Sequence, residues 1–156
     1  MSKYKAPALE KGLDILEYLS ERAIPQTQAE ISQGLDKSPN EIYRMLACLE
    51  DRKYINKTTI GQYSLSMKMY QLSHRHSPVE GLVRSAKQHM DDLANRTKQS
   101  CHLSILHYGE LLIISQSESP GAVSLSIKVG SLFPLLQTSS GKVLLAFENE
   151  EKRNHI

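Results

Sequence analysis

Two helix-start signatures eleven residues apart constrain this chain more than any other feature of its sequence. Thr27-Gln28-Ala29-Glu30 and Ser38-Pro39-Asn40-Glu41 each place a hydroxyl residue three positions before a glutamate. In this capping-box pattern the hydroxyl accepts from the third helical amide, and the glutamate accepts from the amide of the cap residue. The first helix must therefore end near Leu35, where a turn of about three residues leads into a longer helix. Short helix, tight turn and longer helix predict a helix-turn-helix.

The residues around these two helices predict a small domain with a strand pair. A strand begins at 54–55, the chain turns over 57–61, and 62–65 returns with alternating polarity. Upstream, a helix is predicted over 8–22. Its apolar stripe consists of Leu9, Leu13, Leu16 and Leu19, with Ile15 at the edge. A hairpin this short must pack on the helices, so the sequence predicts a winged helix-turn-helix domain over 1–65.

The longer helix has two distinct faces. Ile42, Leu46 and Leu49 recur at helical spacing and are predicted to point into the core. The opposite face is predicted to point to solvent, and it carries Asn40, Tyr43, Arg44, Ala47 and Asp51. Polar side chains on an outward face can contact a binding partner, or they can be exposed to solvent only.

The second half of the chain reads as a linker helix followed by a helix and an antiparallel sheet. The linker spans 66–78, and a third capping box at Ser77-Pro78-Val79-Glu80 predicts a helix that ends near Lys98. Three strands are predicted, over 101–107, 111–116 and 123–129, with Leu103 and Ile105 on one face of the first. An extended apolar stretch follows at 132–136, and then a helix from about Ser140 to Phe147. The predicted fold class is α+β.

Composition and charge place limits on the function. The 156 residues include 40% hydrophobic and 23% charged residues, as expected of a soluble globular chain of one domain or two small ones. No apolar run approaches the ~20 residues that span a bilayer, and the N-terminus has no apolar segment typical of a signal peptide. Cys48 and Cys101 are isolated, which favours reduced thiols and a cytoplasmic protein. The net charge of +2 lies within residues 1–78 and is weak evidence for nucleic-acid binding.

With these elements in this order, the chain resembles the IclR family of bacterial transcription regulators. The stretches that carry the resemblance are 29–35, Tyr43–Glu50, Gly61–Leu65, His102–Ile105, Glu118–Pro120, Val129–Ser131 and Ser140–Ala146. This chain departs from the family pattern at one turn. After the longer helix of the helix-turn-helix, the recognition helix, the family usually has glycine, and this sequence has Lys53. Either a lysine in a left-handed cap there costs roughly 1 kcal/mol, or the turn differs from that of the family.

The resemblance implies a repressor or activator that binds a double-stranded DNA operator. The winged helix would dimerise on an inverted repeat, and the second domain would bind a small organic-acid metabolite and oligomerise further, giving a homodimer or homotetramer. Family effector domains continue past the helix at 140–147. Residues 79–156 are therefore expected to be the N-terminal part of an effector-binding domain, as a natural short form or as a fragment.

The candidate DNA-binding residues follow from the major-groove geometry of a helix-turn-helix. Asn40 can read adenine and Arg44 guanine, while Tyr43 can contact a phosphate or a thymine methyl. The full candidate set is Thr27, Gln28, Ser38, Asn40, Tyr43, Arg44, Lys57, Thr58 and Gln62. Glu41 is expected to serve the capping box, because a carboxylate beside phosphate is unfavourable. Exposed apolar residues on the first helix and the linker, such as Tyr18, Met67 and Tyr70, are expected to be buried by a dimer.

A candidate effector site lies at the helix that begins near 140. The amides and hydroxyls of Ser139, Ser140 and Gly141 can form an anion seat. Leu125, Leu132, Phe133 and Leu135 can supply an apolar wall beside it. The alternative is a plain helix cap over core residues.

Other classes of function find little support in the sequence. Gly141-Lys142 is not a phosphate-binding loop, because that motif needs glycine at 136 and serine or threonine at 143, where this chain has Leu136 and Val143. No three ligands have zinc spacing, and no nucleophile motif is present, so neither a metal, a cofactor nor an enzyme is predicted. The alternative function is a winged-helix protein-interaction module without DNA readout.

Overall fold

The computed structural model describes residues 4–22, 24–75, 78–122 and 124–153. For residue 152, it describes the backbone but not the side chain. The chain divides into two compact units, Met1–Ser77 and Pro78–Ile156. The predicted α+β class is confirmed, with a helix-turn-helix in the first unit and helices on an antiparallel sheet in the second. Within the described part of the chain, no helix combines the length and apolar character needed to cross a membrane.

The first unit is a three-helix core with a small sheet and a further helix. Its elements are α1 (Pro7–Glu21), β1 (Gln26–Thr27), α2 (Gln28–Gly34), α3 (Pro39–Asp51), β2 (Ile55–Lys57), β3 (Gln62–Leu65) and α4 (Lys68–Arg75). The strands are antiparallel in the order β1-β3-β2. The helix-turn-helix is α2 and α3, and β2 and β3 form the wing hairpin.

Both predicted capping boxes of the helix-turn-helix are formed. Thr27 Oγ1 accepts from the Glu30 amide at 3.3 Å, and Glu30 Oε2 accepts from the Thr27 amide at 2.7 Å. The same pair of bonds joins Ser38 and Glu41, at 3.4 and 2.9 Å. Local sequence therefore sets where α2 and α3 begin.

Both helices also end with the same motif, and in each a non-glycine residue takes the left-handed position. After α2, Asp36 has φ 50°, and the Lys37 amide donates to the Ser32 carbonyl at 3.0 Å. After α3, Lys53 has φ 64°, and the Tyr54 amide donates to the Leu49 carbonyl at 2.8 Å. These are Schellman ends, which glycine usually supplies. Of the two alternatives that the sequence left open at Lys53, the structure has the left-handed cap.

The core of the first unit is aliphatic. Its buried members are Ile15, Leu19, Ile31, Ile42, Leu46, Ile55 and Tyr63, with Leu49 packed against them. The inward face predicted for α3 is confirmed. The apolar stripe predicted for α1 is wrong, because it was centred on the leucines and put Ile15 only at its edge. Ile15 is fully buried while Leu9 and Leu13 are exposed, because α1 packs on α3 through its Ile15–Leu19 side. Tyr18 is also more enclosed than predicted, since its hydroxyl donates to Gln26 and to the Glu30 carbonyl, both at 3.3 Å.

The second unit has one long helix, a three-stranded sheet and short C-terminal elements. They are α5 (Glu80–Thr97), β4 (Cys101–His107), β5 (Glu110–Ser117), β6 (Leu132–Pro134), a 3₁₀ turn (Leu135–Gln137), α6 (Ser139–Phe147) and α7 (Glu150–Arg153). The sheet is antiparallel in the order β4-β5-β6. Its core consists of Leu111, Ile113 and Leu135, with Leu106, Ile127, Phe133, Leu144 and Leu145 packed against them.

The start of α5 was predicted only in part. The helix begins at Glu80 after Val79, without a side-chain cap. Ser77, the first residue of the predicted capping box, lies outside the described residues.

The sheet has a bulge that the sequence did not predict. Leu103 lies opposite Ser115 and Ser104 lies opposite Ile113, so the extra residue is Ile114 of β5. No residue is inserted between Leu103 and Ile105 in β4, and their predicted common face stays a prediction.

The strand predicted over 123–129 is also wrong. Residues 124–128 form no strand, and Val123 lies outside the described residues. The Gln116 side chain holds this segment instead: its Nε2 donates to Ser126 Oγ at 3.0 Å, and its Oε1 accepts from the Ile127 amide at 2.8 Å. The third strand of the sheet is β6, within the stretch that was predicted only to be extended.

Candidate functional sites

The outward face of α3 presents three of the predicted DNA-binding side chains together. Asn40, Tyr43 and Arg44 are all exposed, Tyr43 by 58%. Within the described ranges, neither Arg44 nor Asn40 has a side-chain hydrogen bond or an ion pair. Spacing of three and four residues places all three on one side of the helix. The guanidinium and the amide are therefore free to pair with base edges or phosphates.

The first turn of α3 is held by side chains of α1 and α2. Lys11 Nζ of α1 pairs with Glu41 Oε1 at 3.0 Å, and Gln28 Nε2 of α2 donates to the Pro39 carbonyl at 2.9 Å. The hydrogen bond from the Ser38 amide, followed by the contact with Lys11, lowers the pKa of Glu41 to about 2. The capping role predicted for Glu41 is confirmed. Gln28 donates one N–H to the backbone, so its second N–H and its Oε1 remain for another partner.

The remaining capping residues and the wing are placed as follows. Thr27 and Ser38 hold the helix starts, and their hydroxyls also donate to Glu30 and Glu41 at 2.8 and 2.9 Å. In the hairpin turn, the Thr58 amide donates to the Gln62 carbonyl at 2.8 Å, and Thr58 Oγ1 accepts from the Gln62 amide at 3.1 Å. Gly61 completes this turn with φ 80°. The wing tip is therefore locally ordered.

Lys57 is the last residue of β2 and lies opposite Tyr63 of β3. Its Nζ is 5.3 Å from the centre of the Tyr63 ring. Its pKa is raised, chiefly by the hydrogen bond with Tyr63, and also by the charges of Tyr63, Glu50 and Tyr43. The ammonium therefore stays charged.

The predicted effector residues of the second unit are only partly brought together. Thr138, a residue the sequence reasoning missed, caps α6, with its Oγ1 accepting from the Gly141 amide at 3.0 Å. A Cβ at Gly141 would lie 1.9 Å from the Leu135 carbonyl oxygen, so the 3₁₀ turn and α6 are in close contact. Leu135 is buried in the core and Phe133 is packed against it, whereas Leu125 is 88% exposed and Leu132 half-exposed.

A cavity of about 420 Å³ lies beside the start of β4 in this unit. Its walls include Gln99, Ser100, His102, Gln116, Ser124 and Leu125. His102 Nε2 lies 3.4 Å from Ser140 Oγ, which connects the cavity wall to the first turn of α6. Among the predicted effector residues, only Leu125 is one of the described residues that line this cavity. Ser140 is connected to the cavity through its contact with His102. Sequence reasoning missed His102 and Gln116 as wall residues, because their partners are at least ten residues away.

Comparison with known sequence families decides the family of this chain. The model described as IclR helix-turn-helix domain matches residues 8–58, and the model described as bacterial transcriptional regulator IclR C-terminal matches residues 77–156. The chain belongs to the IclR family.

Several members of the IclR family resemble this chain over most of its length. The HTH-type transcriptional regulator KdgR of Escherichia coli is 31% identical over 128 residues, 81% of this chain and 49% of KdgR. The HTH-type transcriptional regulator XynR of E. coli is 29% identical over 150 residues, 96% of this chain and 60% of XynR. An IclR homolog from Microbacterium hydrocarbonoxydans, crystallised with 4-hydroxybenzoate, has a TM-score of 0.80 at 24% identity, covering 95% of this chain and 62% of that one.

These comparisons establish the family and the fold of this chain. They also show that the chain is shorter than its relatives. The chain spans between about half and three fifths of KdgR and XynR. Both of these relatives are named as transcription regulators rather than as enzymes. Across the described ranges, no group of three or more histidine, cysteine or acidic side chains could hold a metal ion.

Proposed function

We propose that this protein is a DNA-binding transcription regulator that reads double-stranded DNA through α3. The observation that carries the proposal is the pairing of a firmly held helix start with an open outward face. Lys11 and Gln28 fix the first turn of α3, while Asn40 and Arg44 stay free of partners within the described residues. Recognition helices need both a fixed orientation and unengaged side chains at the base edges.

The remaining candidates divide into two roles. Arg44 and Asn40 would read bases, each good bidentate pair contributing roughly 1–3 kcal/mol of discrimination. Tyr43, Lys57, Thr58 and Gln62 would position the protein on phosphates beside that helix. The helix starts at Thr27 and Ser38 would direct amides toward phosphates, with Gln28 between them. Such contacts are sensitive to salt but carry no sequence information.

The assembly we propose is a homodimer on an inverted-repeat operator, with a homotetramer as the larger form. Two recognition helices about one turn of DNA apart would read the two half-sites. We place this function in the cytoplasm, in agreement with the two cysteines, which are both free thiols.

The second unit is proposed to bind a small organic acid. The Gly141 amide is engaged by Thr138, which leaves the Ser139 and Ser140 amides at the start of α6 for a carboxylate. Leu125 and Leu132 would supply apolar contacts, while Phe133 and Leu135 support the site from the core. Calorimetric titration with acetate, benzoate and 4-hydroxybenzoate tests this part. Binding that Ser140→Ala weakens supports it, and no heat with any of the three contradicts it.

DNA readout is tested by selecting duplexes from a random-sequence pool with the wild-type chain. We expect an enriched inverted repeat, and Arg44→Ala should weaken binding to it by about 10- to 100-fold while binding random duplexes nearly as well as wild type does. Arg84→Ala is the matched control, because Arg84 is an exposed arginine on α5 of the other unit.

Two outcomes would contradict the proposal. The first is a pool in which no sequence is enriched. The second is equal loss for Arg44→Ala and Arg84→Ala, which would mean that the selected sequence is not read through α3. The modest net charge of +2 would then favour a winged-helix module that binds protein.

A further inference from the structure

The wing hairpin carries an apolar side chain at its apex. Ile60 is 76% exposed and lies in a β-turn that is closed by a hydrogen bond from the Gly61 amide to the Thr58 carbonyl at 3.0 Å. Thr59 and Ile60 are the two central residues of this turn, and both are exposed. Turns favour glycine, proline, asparagine, aspartate and serine, so the needs of the turn do not explain an isoleucine here. A residue that breaks a local preference without a gain in packing indicates a functional role.

The residues on either side of the apex hold it in one conformation. The Thr58 amide donates to the Gln62 carbonyl at 2.8 Å, and Thr58 Oγ1 accepts from the Gln62 amide at 3.1 Å. Gly61 has φ 80°, a left-handed conformation that glycine adopts without a Cβ penalty. Ile60 therefore stands on a preorganised support, and burial of its side chain by a partner costs little conformational entropy.

The wing hairpin packs next to α3. Strand β2 contacts α3, and only residues 52–54 separate the two elements in the sequence. The pKa of Lys57, the last residue of β2, is raised chiefly by its hydrogen bond with Tyr63, and the charges of Glu50 and Tyr43 on α3 also contribute. The apex is therefore carried by the same packed unit as the helix proposed to enter the major groove.

The dimensions of B-DNA decide what the apex can contact. Beside a helix in the major groove lies the sugar–phosphate backbone, and beyond it lies the minor groove, which is about 6 Å wide. Paired strands are already about 4.8 Å apart without their side chains, so the hairpin itself is too wide for that groove, whereas one side chain at its apex can enter. Ile60 is three residues from Lys57, at most about 11 Å of chain, so a contact of Lys57 with phosphate leaves the apex within reach of the groove.

We propose that Ile60 enters the minor groove next to each half-site and acts as an apolar wedge between two stacked base pairs. Isoleucine is among the side chains that unstack a base step and kink the duplex in this way. Because its side chain has no hydrogen-bonding group, it selects sequence through the ease of unstacking, which is greatest at TA and CA/TG steps. The inference rests on the proposed function and deepens it, because it adds a specificity-determining residue outside α3.

Parallel selections from one random-sequence pool of duplexes test the wedge. The wild-type chain and Ile60→Asn should enrich the same inverted repeat, because α3 is unchanged in the variant. Only the wild-type chain should also enrich a TA or CA/TG step at a fixed distance outside each half-site. Asparagine is favoured in turns and Ile60 is exposed, so the variant should fold.

Two further variants separate a wedge from any other change at the apex. Ile60→Leu keeps an apolar side chain and should retain the preference for the flanking step. Thr59→Asn is the matched control, because it places the same new side chain on the neighbouring exposed residue of the turn, and it should also retain the preference. A flanking step that is missing from the wild-type pool, or that Ile60→Asn enriches as strongly, would overturn the proposal.

The bend of the duplex and the salt dependence of binding give an independent measure. With the selected duplex labelled at both ends, energy transfer should rise when the wild-type chain binds and rise far less with Ile60→Asn. The affinity of Ile60→Asn should fall by about tenfold, because unstacking offsets part of what isoleucine gains by burial. The slope of log K against log salt counts phosphate contacts, so it should not change in Ile60→Asn, whereas Lys57→Gln should reduce it by about one.

These experiments distinguish failure of the wedge from failure of the proposed function. If the wild-type chain enriches no inverted repeat, readout through α3 fails and the wedge fails with it. If the repeat is enriched and Arg44→Ala weakens its binding, but Ile60→Asn keeps the bend and the flanking step, only the wedge is overturned. Loss of the bend and of the flanking step in Ile60→Asn, with the repeat retained, supports the wedge.

Discussion

The helix-turn-helix at 27–53 and the segment at 118–131 differ in what determines their structure. In the first, Thr27 and Ser38 start the helices, and the left-handed residues Asp36 and Lys53 end them. All of these bonds join residues within five positions of each other. In the second, Gln116 binds Ser126 and Ile127, and Ser119 Oγ donates to the Lys98 carbonyl at 2.8 Å. These partners lie ten or more positions apart.

The difference teaches that hydrophobic alternation alone does not specify a strand. The alternating residues at 123–129 suit a strand by pattern, yet β6 pairs with β5 at residues 110–112, and the Gln116 side chain rather than a strand ladder holds residues 126–127. A capping box needs no such partner, because both of its residues belong to one turn of helix. Substitutions at five positions test this contrast between local and distant contacts, from the largest expected effect to the smallest.

Gly141→Ala should have the largest effect, because it changes the tight contact between α6 and the 3₁₀ turn before it. The added Cβ would meet the Leu135 backbone oxygen, which cannot move aside as a side-chain tip can. We expect the free energy of unfolding of this unit to fall by about 3 kcal/mol in urea titrations followed by circular dichroism. Gly81→Ala is the control, since nothing lies within 4 Å of a Cβ there. Equal stability of the two variants would show that the 3₁₀ turn adapts.

Gln116→Ala should come next. It removes the two hydrogen bonds that hold 126–127 without a strand ladder, at about 0.5–1.5 kcal/mol each. Hydrogen exchange at the Ile127 amide should become at least about tenfold faster. Gln88→Ala is the matched control, because the Gln88 side chain binds only Asp92 on its own helix. Unchanged exchange in Gln116→Ala would mean that packing alone holds the segment.

Lys53→Gly should stabilise the first unit, by up to about 1 kcal/mol, because glycine adopts a positive φ without a Cβ penalty. Lys98→Gly at the end of α5, where φ is 57°, should gain a similar amount in the second unit. Lys53→Ala removes the same side chain but keeps the Cβ, so it should give no gain in thermal unfolding. If glycine and alanine behaved alike at 53, the lysine side chain rather than the backbone would set the stability of this end.

Glu41→Gln should have the smallest effect, and its difference from wild type should shrink in acid. The pKa of Glu41 is lowered to about 2 in the folded chain, so its stabilising contribution is complete above the ordinary value near 4.5 and is lost as pH falls toward 2. Glutamine keeps the capping bond without the charge. Thermal unfolding between pH 5 and 2 should therefore vary less with pH in the variant than in wild type, and the same pH dependence in both would contradict this role of the Glu41 charge.

The sequence predicted most of the first unit because its signals are local. Both helix starts, the inward face of α3 and the hairpin were readable from residues a few positions apart. What failed depended on contacts between distant residues: Ile15 rather than Leu9 and Leu13 became the buried side of α1, and residues 124–128 formed no strand.

The candidate sites show the same limit. The free face with Asn40 and Arg44 could be predicted from helical spacing alone. The bond from Gln28 to Pro39 could not, because eleven positions separate the two residues. The cap of α6 could not either, because Thr138, Ser139 and Ser140 all carry a hydroxyl that can cap a helix. His102 was unpredictable as a neighbour of Ser140, since 38 positions separate them.

Ser66 ties the start of α4 to the turn that ends α3. Its amide donates to the Tyr54 carbonyl and its hydroxyl to the Lys53 carbonyl. A tilt of α4 would therefore move the residues that end the recognition helix directly, through these two hydrogen bonds and not through the wing. The orientation of α4 is thus coupled to the C-terminal end of α3.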